Sequence, residues 1–242
     1  MQPRISVLVP AFNEEAHLGQ TLASIHASFD EVGETNYEVV VCDNNSTDRT
    51  SVIAQQGGAR VVFEPHNQIA RARNTAAERA QAEWLLFIDA DTQLNPELLR
   101  ATLAALSSGT VCGGGSVIRF DREPTGMVPR ALTWFWNTIS MQLRLAAGSY
   151  IFCLRQAWEE VGGFDQGLYA GEEIFFSGKL KSWGRKRSLR FVILAGAPVV
   201  TSARKLEWYG QWEMLRHMLL LSWPGAIRRR ARCGLWYDRP AK

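Results

Sequence analysis

The sequence predicts an α/β domain with a Rossmann-like, mostly parallel central sheet that carries helices on both faces. Short apolar runs alternate with helical segments through the N-terminal half of the chain, which is the pattern of repeated strand-helix units. The runs are apolar throughout, as is typical of strands buried on both sides. Since ligands bind beyond the carboxyl ends of such strands, the residues that follow each strand are candidate site residues.

The predicted elements of the N-terminal half follow from these runs and from capping residues. Asn13 is expected to cap the first helix, with two glutamates in its first turn, and Ser46 is expected to cap the second. Asn95 followed by Pro96 indicates the start of the fourth helix, because proline is favoured at the first helical position. The predicted strands are residues 5–9, 38–42, 59–63 and 84–88, and the third helix is residues 69–82.

The C-terminal half is less regular. Residues 111–120 are predicted to form a strand with a bend at three consecutive glycines, residues 113–115. We expect one domain, residues 1–205, followed by an apolar helix and a basic tail, residues 206–242. The further predicted helices are residues 127–147, 155–161 and 172–183, and the further strands are residues 149–154, 191–194 and 198–201.

Composition narrows the functional classes. Basic residues are concentrated after Ser177, so we expect an anionic partner such as phosphates or lipid headgroups, and no nucleic acid. The four cysteines are far apart in the sequence and form no CxxC pair, which argues against a zinc site and against a disulfide framework. With no signal segment before the first strand, these features predict a cytoplasmic protein.

The fourth strand is followed by the segment Asp89-Ala90-Asp91. Side chains two residues apart in extended backbone point to the same side, so Asp89 and Asp91 are expected to present oxygens to one divalent cation. Mg²⁺ and similar hard cations are commonly held by one or two carboxylates together with substrate phosphates. The alternative is that these aspartates only cap the helix that follows.

The turn after the first strand excludes several other nucleotide enzymes. Dehydrogenases and methyltransferases would carry a glycine-rich turn at this point, and a sugar-phosphate nucleotidyltransferase would carry a glycine-rich basic loop. This chain has Pro10, Ala11, Phe12 and Asn13 there. The glycines at residues 113–115 come too late in the chain to replace that turn.

Four blocks occur in order along the chain: SVLVPAFNEE, VVVCDNNSTDRT, ARARNTAAERAQAEWLLFIDADT and VGGFDQGLYAGEE. Taken together, they resemble the inverting glycosyltransferases of family 2, and in particular the small single-domain bacterial members of that family. The resemblance extends over residues 4–205. It implies the GT-A fold and a hexosyltransferase-type activity on a nucleotide-sugar donor.

The resemblance also implies roles for individual residues. Asp43 matches the aspartate that contacts the base or ribose, and Arg73 matches an arginine that could bridge the diphosphate or brace a metal-binding carboxylate. Arg204 is expected to neutralise the leaving diphosphate. The implied metal ligands are Asp91 and Asp89, and the implied acceptor-binding residues are Gly148 and Ser149. The implied donor-binding residues are Pro10, Ala11, Asn13, Glu14, Asp43, Arg73, Asp89, Ala90 and Arg204.

The catalytic base of the family is usually the aspartate of a Glu-Asp pair that follows a GGFD-like segment. Here GGFD is followed by Glu172 and Glu173, so Glu173 matches the base but carries one extra methylene. A displacement of about 1 Å can be costly for catalysis. Glu173 is therefore the predicted base and Glu172 is the alternative. Both acids could also serve only to favour a helix dipole.

The predicted function is transfer of a sugar, with inversion, from a nucleotide-diphosphate donor to an acceptor hydroxyl of a saccharide or lipid. A UDP-sugar is the first choice of donor, and Mn²⁺ or Mg²⁺ is the expected cofactor. The alternative is a non-catalytic nucleotide-sugar-binding member of the same fold. Residues 206–223 and the arginines after them suggest either peripheral contact with an anionic membrane at its inner face or packing on the domain itself.

Overall fold

The structure, a computed structural model, describes residues 2–122, 127–204 and 225–233, without the side chains of residues 127–129 and 132. Its strands are β1 (Ile5–Ala11), β2 (Tyr37–Asp43), β3 (Arg60–Phe63), β4 (Trp84–Ile88), β5 (Thr92–Gln93), β6 (Val111–Phe120), β7 (Tyr150–Leu154) and β8 (Arg190–Thr201). Its α-helices are α1 (Leu18–Val32), α2 (Thr50–Gln56), α3 (Ile69–Arg79), α4 (Pro96–Ser107), α5 (Met127–Leu143), α6 (Arg155–Val161) and α7 (Glu172–Arg185). Two short 3₁₀ turns follow at Ala226–Arg228 and Arg230–Arg232.

The strands of the described residues form one sheet in the order β3-β2-β1-β4-β7-β6-β8-β5. β1 lies between β2 and β4 and runs parallel to both. The pairs β2–β3 and β6–β8 are also parallel, whereas β7 is antiparallel to both of its neighbours and β5 is antiparallel to β8. The prediction of a mostly parallel sheet is confirmed.

Helices cover both faces of the sheet, as predicted. On one face, Leu22 of α1 and Leu98 of α4 belong to the core that contains Val7 and Val9 of β1. On the other face, α3 and α7 contribute to a second core, which contains Leu8 of the same strand. Because β1 buries side chains on both faces, its sequence is a nearly continuous apolar run and not an alternating one.

Two of the three helix caps predicted in the N-terminal half, at Asn13 and Ser46, are wrong. Asn13 has a φ of 51° and lies in the loop before α1, which begins only at Leu18. Its side-chain oxygen accepts a hydrogen bond from the backbone N–H of Thr47, and its own N–H donates to the hydroxyl of Ser46. The two loops therefore bond to each other, and neither polar side chain is available to cap a helix. The prediction at Asn95 is confirmed, since its side chain accepts from Leu98 N.

The C-terminal half differs from prediction in its strands. Residues 113–115 do not interrupt β6, which continues through them between β7 and β8 with a shift of register against β8 between Val111 and Gly113. A Cβ on Gly114 would lie 2.3 Å from the carbonyl oxygen of Val192, so the glycines allow close strand packing. The two strands predicted at residues 191–194 and 198–201 are one strand, β8, with an irregular register against β6. The two-residue strand β5 was not predicted.

Some predictions lie outside the described residues. The helix predicted at residues 206–223 is among them, so the boundary at residue 205 stays a prediction. Within residues 2–122, 127–204 and 225–233, no helix is long and apolar enough to cross a bilayer.

Candidate functional site

Arg73 of α3 connects three of the segments that the sequence analysis singled out. Its Nη1 donates to Glu172 Oε1 at 2.7 Å, and its Nη2 donates to Asp89 Oδ1 at 3.0 Å and to the carbonyl oxygen of Gly148 at 2.9 Å. Its side chain is only 1% exposed. Burial lowers the pKa of Arg73, but the charges of Asp89 and Glu172 raise it overall, so the guanidinium stays charged. A planar group with five fixed donors suits such a three-way junction.

The pairing of β4 with β7 explains why these segments meet. Because the strands are antiparallel, Ile88 at the end of β4 lies opposite Tyr150 at the start of β7. The residues that leave β4 therefore lie beside those that enter β7, and Asp89 N donates to the carbonyl oxygen of Ser149 at 3.4 Å. The pairing of these strands thus places the predicted metal ligand Asp89 beside Ser149 of the predicted acceptor segment.

A second arginine contacts acidic side chains from two different loops. Arg204, which follows β8, pairs through Nη2 with Asp91 Oδ2 at 2.9 Å and with Glu14 Oε1. Glu14 is held in turn by its backbone N–H, which donates to Thr50 Oγ1 at 2.7 Å. Burial lowers the pKa of Arg204, whereas Glu14 and Asp91 raise it overall. Two predicted donor residues and one predicted metal ligand are thus linked by a charged contact.

The segment from Asp89 to Asp91 is a turn, so the expected extended geometry is wrong. Thr92 N donates to the carbonyl oxygen of Asp89 at 3.1 Å, and the carbonyl oxygen of the buried Ala90 accepts from Thr21 Oγ1 at 2.8 Å. The two carboxylates consequently contact different arginines. Among the described residues, no three His, Cys, Asp or Glu side chains are placed so that they could hold a metal ion together. Two carboxylates nevertheless match the donor set that hard divalent cations take together with phosphate oxygens.

The predicted nucleotide-binding loop lies at the adjoining strand ends. Pro10 and Ala11 are the last residues of β1, and Ala11 is opposite Asp43 in β2. Asp43 is buried and its Oδ1 accepts from Ser46 N at 2.9 Å, so one carboxylate oxygen shapes the turn after β2. Asn13 lies in the facing loop. These four residues lie at the carboxyl ends of β1 and β2, and their contact with a nucleotide stays a prediction.

The acidic pair at the start of α7 has two different environments. Glu172 is buried and ion-paired with Arg73. Glu173 is partly exposed, and its carboxyl carbon would lie 3.6 Å from a Cβ placed on Gly148. Burial, followed by the charge of Glu172, raises the pKa of Glu173 to about 8, although Arg73 opposes the shift. One carboxyl group is therefore engaged by a guanidinium, and the other has a high affinity for a proton.

Two residues outside the predicted site set support this arrangement: Asn74, which belongs to the same Arg-Asn pair as Arg73, and Gln68, which precedes α3. Asn74 donates to the carbonyl oxygen of Phe164 at 2.9 Å and accepts from Phe164 N at 3.0 Å. Gln68 Nε2 donates at 2.8 Å to the carbonyl oxygens of Gln166 and Leu168. These bonds attach α3 to the loop before α7. Their partners are backbone groups, so no side-chain pattern in the sequence indicates them.

Comparisons with known proteins identify the family. The family model for Glycosyl transferase family 2 matches residues 6–158. The chain is 26% identical over 188 residues to glycosyltransferase AglE of Haloferax volcanii, a match that covers 72% of this chain and 60% of that protein. The chain spans only part of its curated relatives. The longest matches cover 59–60% of the length of those proteins.

Solved structures share the fold. The mannosyltransferase PcManGT from Pyrobaculum calidifontis, solved with GDP-Man and Mn²⁺, superposes with a TM-score of 0.72 at 23% identity, covering 98% of this chain and 71% of that one. Glucosyl-3-phosphoglycerate synthase from Mycobacterium tuberculosis, solved with Mn²⁺, UDP and glucosyl-3-phosphoglycerate, gives a TM-score of 0.59 at 20% identity and covers 96% and 80% of the two chains. The predicted GT-A fold is confirmed. Since the family model covers more than half of its residues, this chain belongs to glycosyl transferase family 2.

Proposed function

We propose that this protein transfers a sugar, with inversion, from a nucleotide-diphosphate sugar to an acceptor hydroxyl. The observation that carries the proposal is the junction at Arg73. One buried guanidinium holds Asp89 of the predicted donor site, Gly148 of the predicted acceptor segment and Glu172 beside the predicted base. A single displacement needs donor, acceptor and base in fixed relative positions, because misplacement of about 1 Å can be costly.

Glu173, and not Glu172, is the proposed catalytic base. Glu172 is engaged by Arg73 at 2.7 Å, so it acts as an anchor for the guanidinium. Glu173 is adjacent to Gly148 and partly exposed, so an acceptor hydroxyl bound at Gly148 and Ser149 can reach it. Its raised pKa favours acceptance of a proton at near-neutral pH. The glycine at position 148 leaves room for the neighbouring guanidinium, since a Cβ there would lie 3.0 Å from Arg73 Nη2.

In the proposed reaction, Glu173 takes the proton of the acceptor hydroxyl, and the hydroxyl oxygen attacks the anomeric carbon of the donor sugar. The bond between that carbon and the diphosphate breaks in the same displacement, so the configuration inverts. Asp91 and Asp89 would hold the divalent cation, which neutralises charge on the departing diphosphate when it is bound. Arg204 supplies a positive charge at the same edge of the site.

Arg204 is also the proposed partner of the donor phosphates. In this structure its guanidinium already contacts Asp91 and Glu14. A phosphate oxygen that enters the site competes with these carboxylates for the same donors, so Arg204 would exchange at least one of its contacts on donor binding. The expected effect of Arg204→Ala is weaker donor binding together with slower turnover.

A UDP-sugar remains the first donor to test, although the solved relatives were captured with either GDP-Man or UDP. The proposed acceptor is a hydroxyl of a saccharide or a lipid. The proposed membrane contact of residues 206–223 lies outside the described residues.

The alternative is a protein that binds nucleotide sugars without reacting. Release of UDP or GDP from a panel of donor sugars, measured with Mn²⁺ and with candidate acceptors, separates the two. The transferase must release nucleotide, and Glu173→Gln must abolish release while donor affinity is kept. Donor binding without release of nucleotide from any donor and acceptor pair would favour the binding protein.

A further inference from the structure

The helix α5 turns its apolar side chains outward. Seven large apolar side chains are exposed in the described residues, and four of them belong to this helix. Trp134 is 69% exposed, Phe135 54%, Met141 44% and Leu143 57%. Such a concentration on one element differs from the scattered apolar residues of an ordinary surface.

The side of α5 that faces the sheet is polar. Asn137 accepts a hydrogen bond from Ile118 N at 3.1 Å and donates to Ile118 O at 2.9 Å, which attaches the helix to β6. Ser140 is fully buried and its hydroxyl donates to the carbonyl oxygen of Leu145. Polar side chains therefore fasten the inner side of α5, while four of its large apolar side chains are exposed.

Three of the four exposed apolar residues share one side of the helix. At the ~100° per residue of an α-helix, Trp134, Phe135 and Met141 fall within roughly 120° of one another. The other residues on that arc are uncharged: Ala131, Thr138 and Gln142. We call this surface the α5 face.

A basic patch adjoins the C-terminal end of the α5 face. It consists of Arg144, Lys181, Arg185 and Arg190, which line one shallow depression together with Leu143, Leu189 and Phe191. None of the described residues that line this depression is acidic. Lys181 Nζ donates to the carbonyl oxygen of Leu143 at 2.7 Å, so the patch is attached to the helix end. Burial, Arg144 and Arg185 together lower the pKa of Lys181, as expected where positive charges crowd without neutralisation.

The opposite end of the helix is basic as well. Arg119, Arg122 and Arg130 line a second depression together with Trp134. An apolar helix face beside a basic patch is the pattern of a helix that lies in the interface of a bilayer, where apolar side chains enter the acyl boundary and cations meet anionic headgroups.

We propose that the α5 face docks on an anionic membrane, with the basic patch against the lipid headgroups. Charge complementarity selects this partner over a segment of the chain itself. The apolar segment at residues 205–224 carries two acidic and two permanently basic residues, so it would bring no excess of negative charge to the patch. The proposal does not depend on the proposed transferase activity.

A label on the α5 face provides the direct test. The four native cysteines are buried, so Met141→Cys can be labelled selectively with an environment-sensitive dye in the full-length chain. We expect a blue shift with vesicles of phosphatidylcholine and phosphatidylglycerol, and none with phosphatidylcholine alone. The binding should weaken as salt rises, because screening reduces the attraction of exposed charges.

Vesicle co-sedimentation of paired variants tests the basic patch and the apolar residues of the α5 face separately. Arg144→Glu with Arg185→Glu should weaken binding by ~10-fold or more, since each cation near an anionic surface contributes substantially to affinity. Trp134→Ser with Phe135→Ser should also weaken it. The matched control is Arg79→Glu with Arg100→Glu, two exposed arginines on α3 and α4, which should change binding less than the patch variant does.

Two results would overturn the proposal. The first is a dye signal that is blue-shifted without vesicles and unchanged by them, which would show that another part of the chain or a second copy covers the α5 face. The second is equal loss of vesicle binding in the patch and control variants, which would show non-specific attraction by net charge. Circular dichroism of each variant confirms that the fold is retained.

Discussion

Among single residues, Arg73 has the largest structural consequence in the candidate site. Its side chain is 1% exposed. It connects α3 to Asp89 after β4, to Glu172 at the start of α7 and to Gly148 before β7. Removal of one partner of a buried ion pair typically costs about 3–5 kcal/mol, because the remaining charge is left without compensation. Arg73 is therefore both a structural residue and a positioning residue.

We expect Arg73→Lys to reduce turnover by ~10²-fold, because a single ammonium cannot keep the forked contacts to Glu172 and Asp89. The matched control is Arg71→Lys, since Arg71 is on the same helix and its side chain donates only to Gln68 in the contacts described. Turnover and thermal unfolding measured side by side check the prediction. Equal losses in the two variants would show that the geometry at Arg73 has no special role.

Glu173 should make stability depend on pH. Its pKa is 4.5 in a model compound and about 8 in the folded protein, because burial and Glu172 disfavour the anion. The folded protein thus holds the proton more tightly, and the native chain loses stability as pH rises from 4.5 through 8. Glu173→Gln removes this loss.

We expect Glu173→Gln to melt at nearly the native temperature at pH 4.5 and to exceed the stability of the native chain by up to about 5 kcal/mol at pH 9, because each pKa unit corresponds to ~1.4 kcal/mol. Melting curves of Glu172→Gln provide the comparison, because loss of the ion pair with Arg73 should lower the melting temperature at neutral pH. A Glu173→Gln protein whose advantage does not grow with pH would contradict the assigned pKa.

At the residue level, the sequence indicates the identities of the site residues better than their contacts. The blocks around Asp89, Arg73 and Glu173 are recognisable because the chemistry requires those residue types in that order. The pairing of Asp91 with Arg204, separated by more than a hundred positions, has no local signature. Nor do the bonds of Gln68 and Asn74, which end on backbone groups.

Among the elements, β6 is the most sensitive to a change of one methyl group. A Cβ on Gly114 would meet the backbone oxygen of Val192 at 2.3 Å, and backbone cannot move aside as a flexible side chain can. We expect Gly114→Ala to cost about 1–3 kcal/mol by overpacking. Gly178→Ala on α7 is the control, since a Cβ there meets no atom within 4 Å and alanine favours a helix by ~1 kcal/mol.

Urea unfolding of the two variants tests this contrast. The midpoint should fall for Gly114→Ala and stay or rise for Gly178→Ala. If Gly114→Ala is as stable as the native chain, β6 and β8 are not packed as closely as the structure has them.

The elements with the simplest local rules were predicted best. The β4 and α6 bounds agree with prediction, and the cap at Asn95 is confirmed, because apolar runs and capping residues act locally. The failures at Asn13, Ser46 and β8 have one physical cause. Each concerns a segment whose hydrogen-bond partners lie far away in sequence, so tertiary contacts override the local preference.

For the whole molecule, the fold brings together two halves of different sequence character. The first half, with its regular strand-helix units, supplies Asp43, Arg73, Asp89 and Asp91. The second half supplies Gly148, Glu173 and Arg204 through β7, α7 and β8. The order of the sheet strands decides which loops meet, and the sequence predicts the loops but not that order.

The most direct test of this account is metal-dependent binding of the donor nucleotide. Thermal unfolding is measured with UDP and GDP, with and without Mn²⁺, for the native chain and for Asp91→Asn. Asn is nearly isosteric and keeps an oxygen near Arg204, whereas Asp89→Ala would remove one of the two carboxylates that pair with the buried Arg73. At a nucleotide concentration of about 100 times its Kd, bound ligand should stabilise the native fold by ~2.7 kcal/mol.

We predict that the native chain melts ~5–10 °C higher with one of the nucleotides only when Mn²⁺ is present. Asp91→Asn should melt near the native temperature without ligand and should lose the metal-dependent increase. If neither nucleotide gives a Mn²⁺-dependent increase with the native chain, or if Asp91→Asn keeps it in full, the assignment of the aspartates to a metal-bound donor diphosphate is wrong.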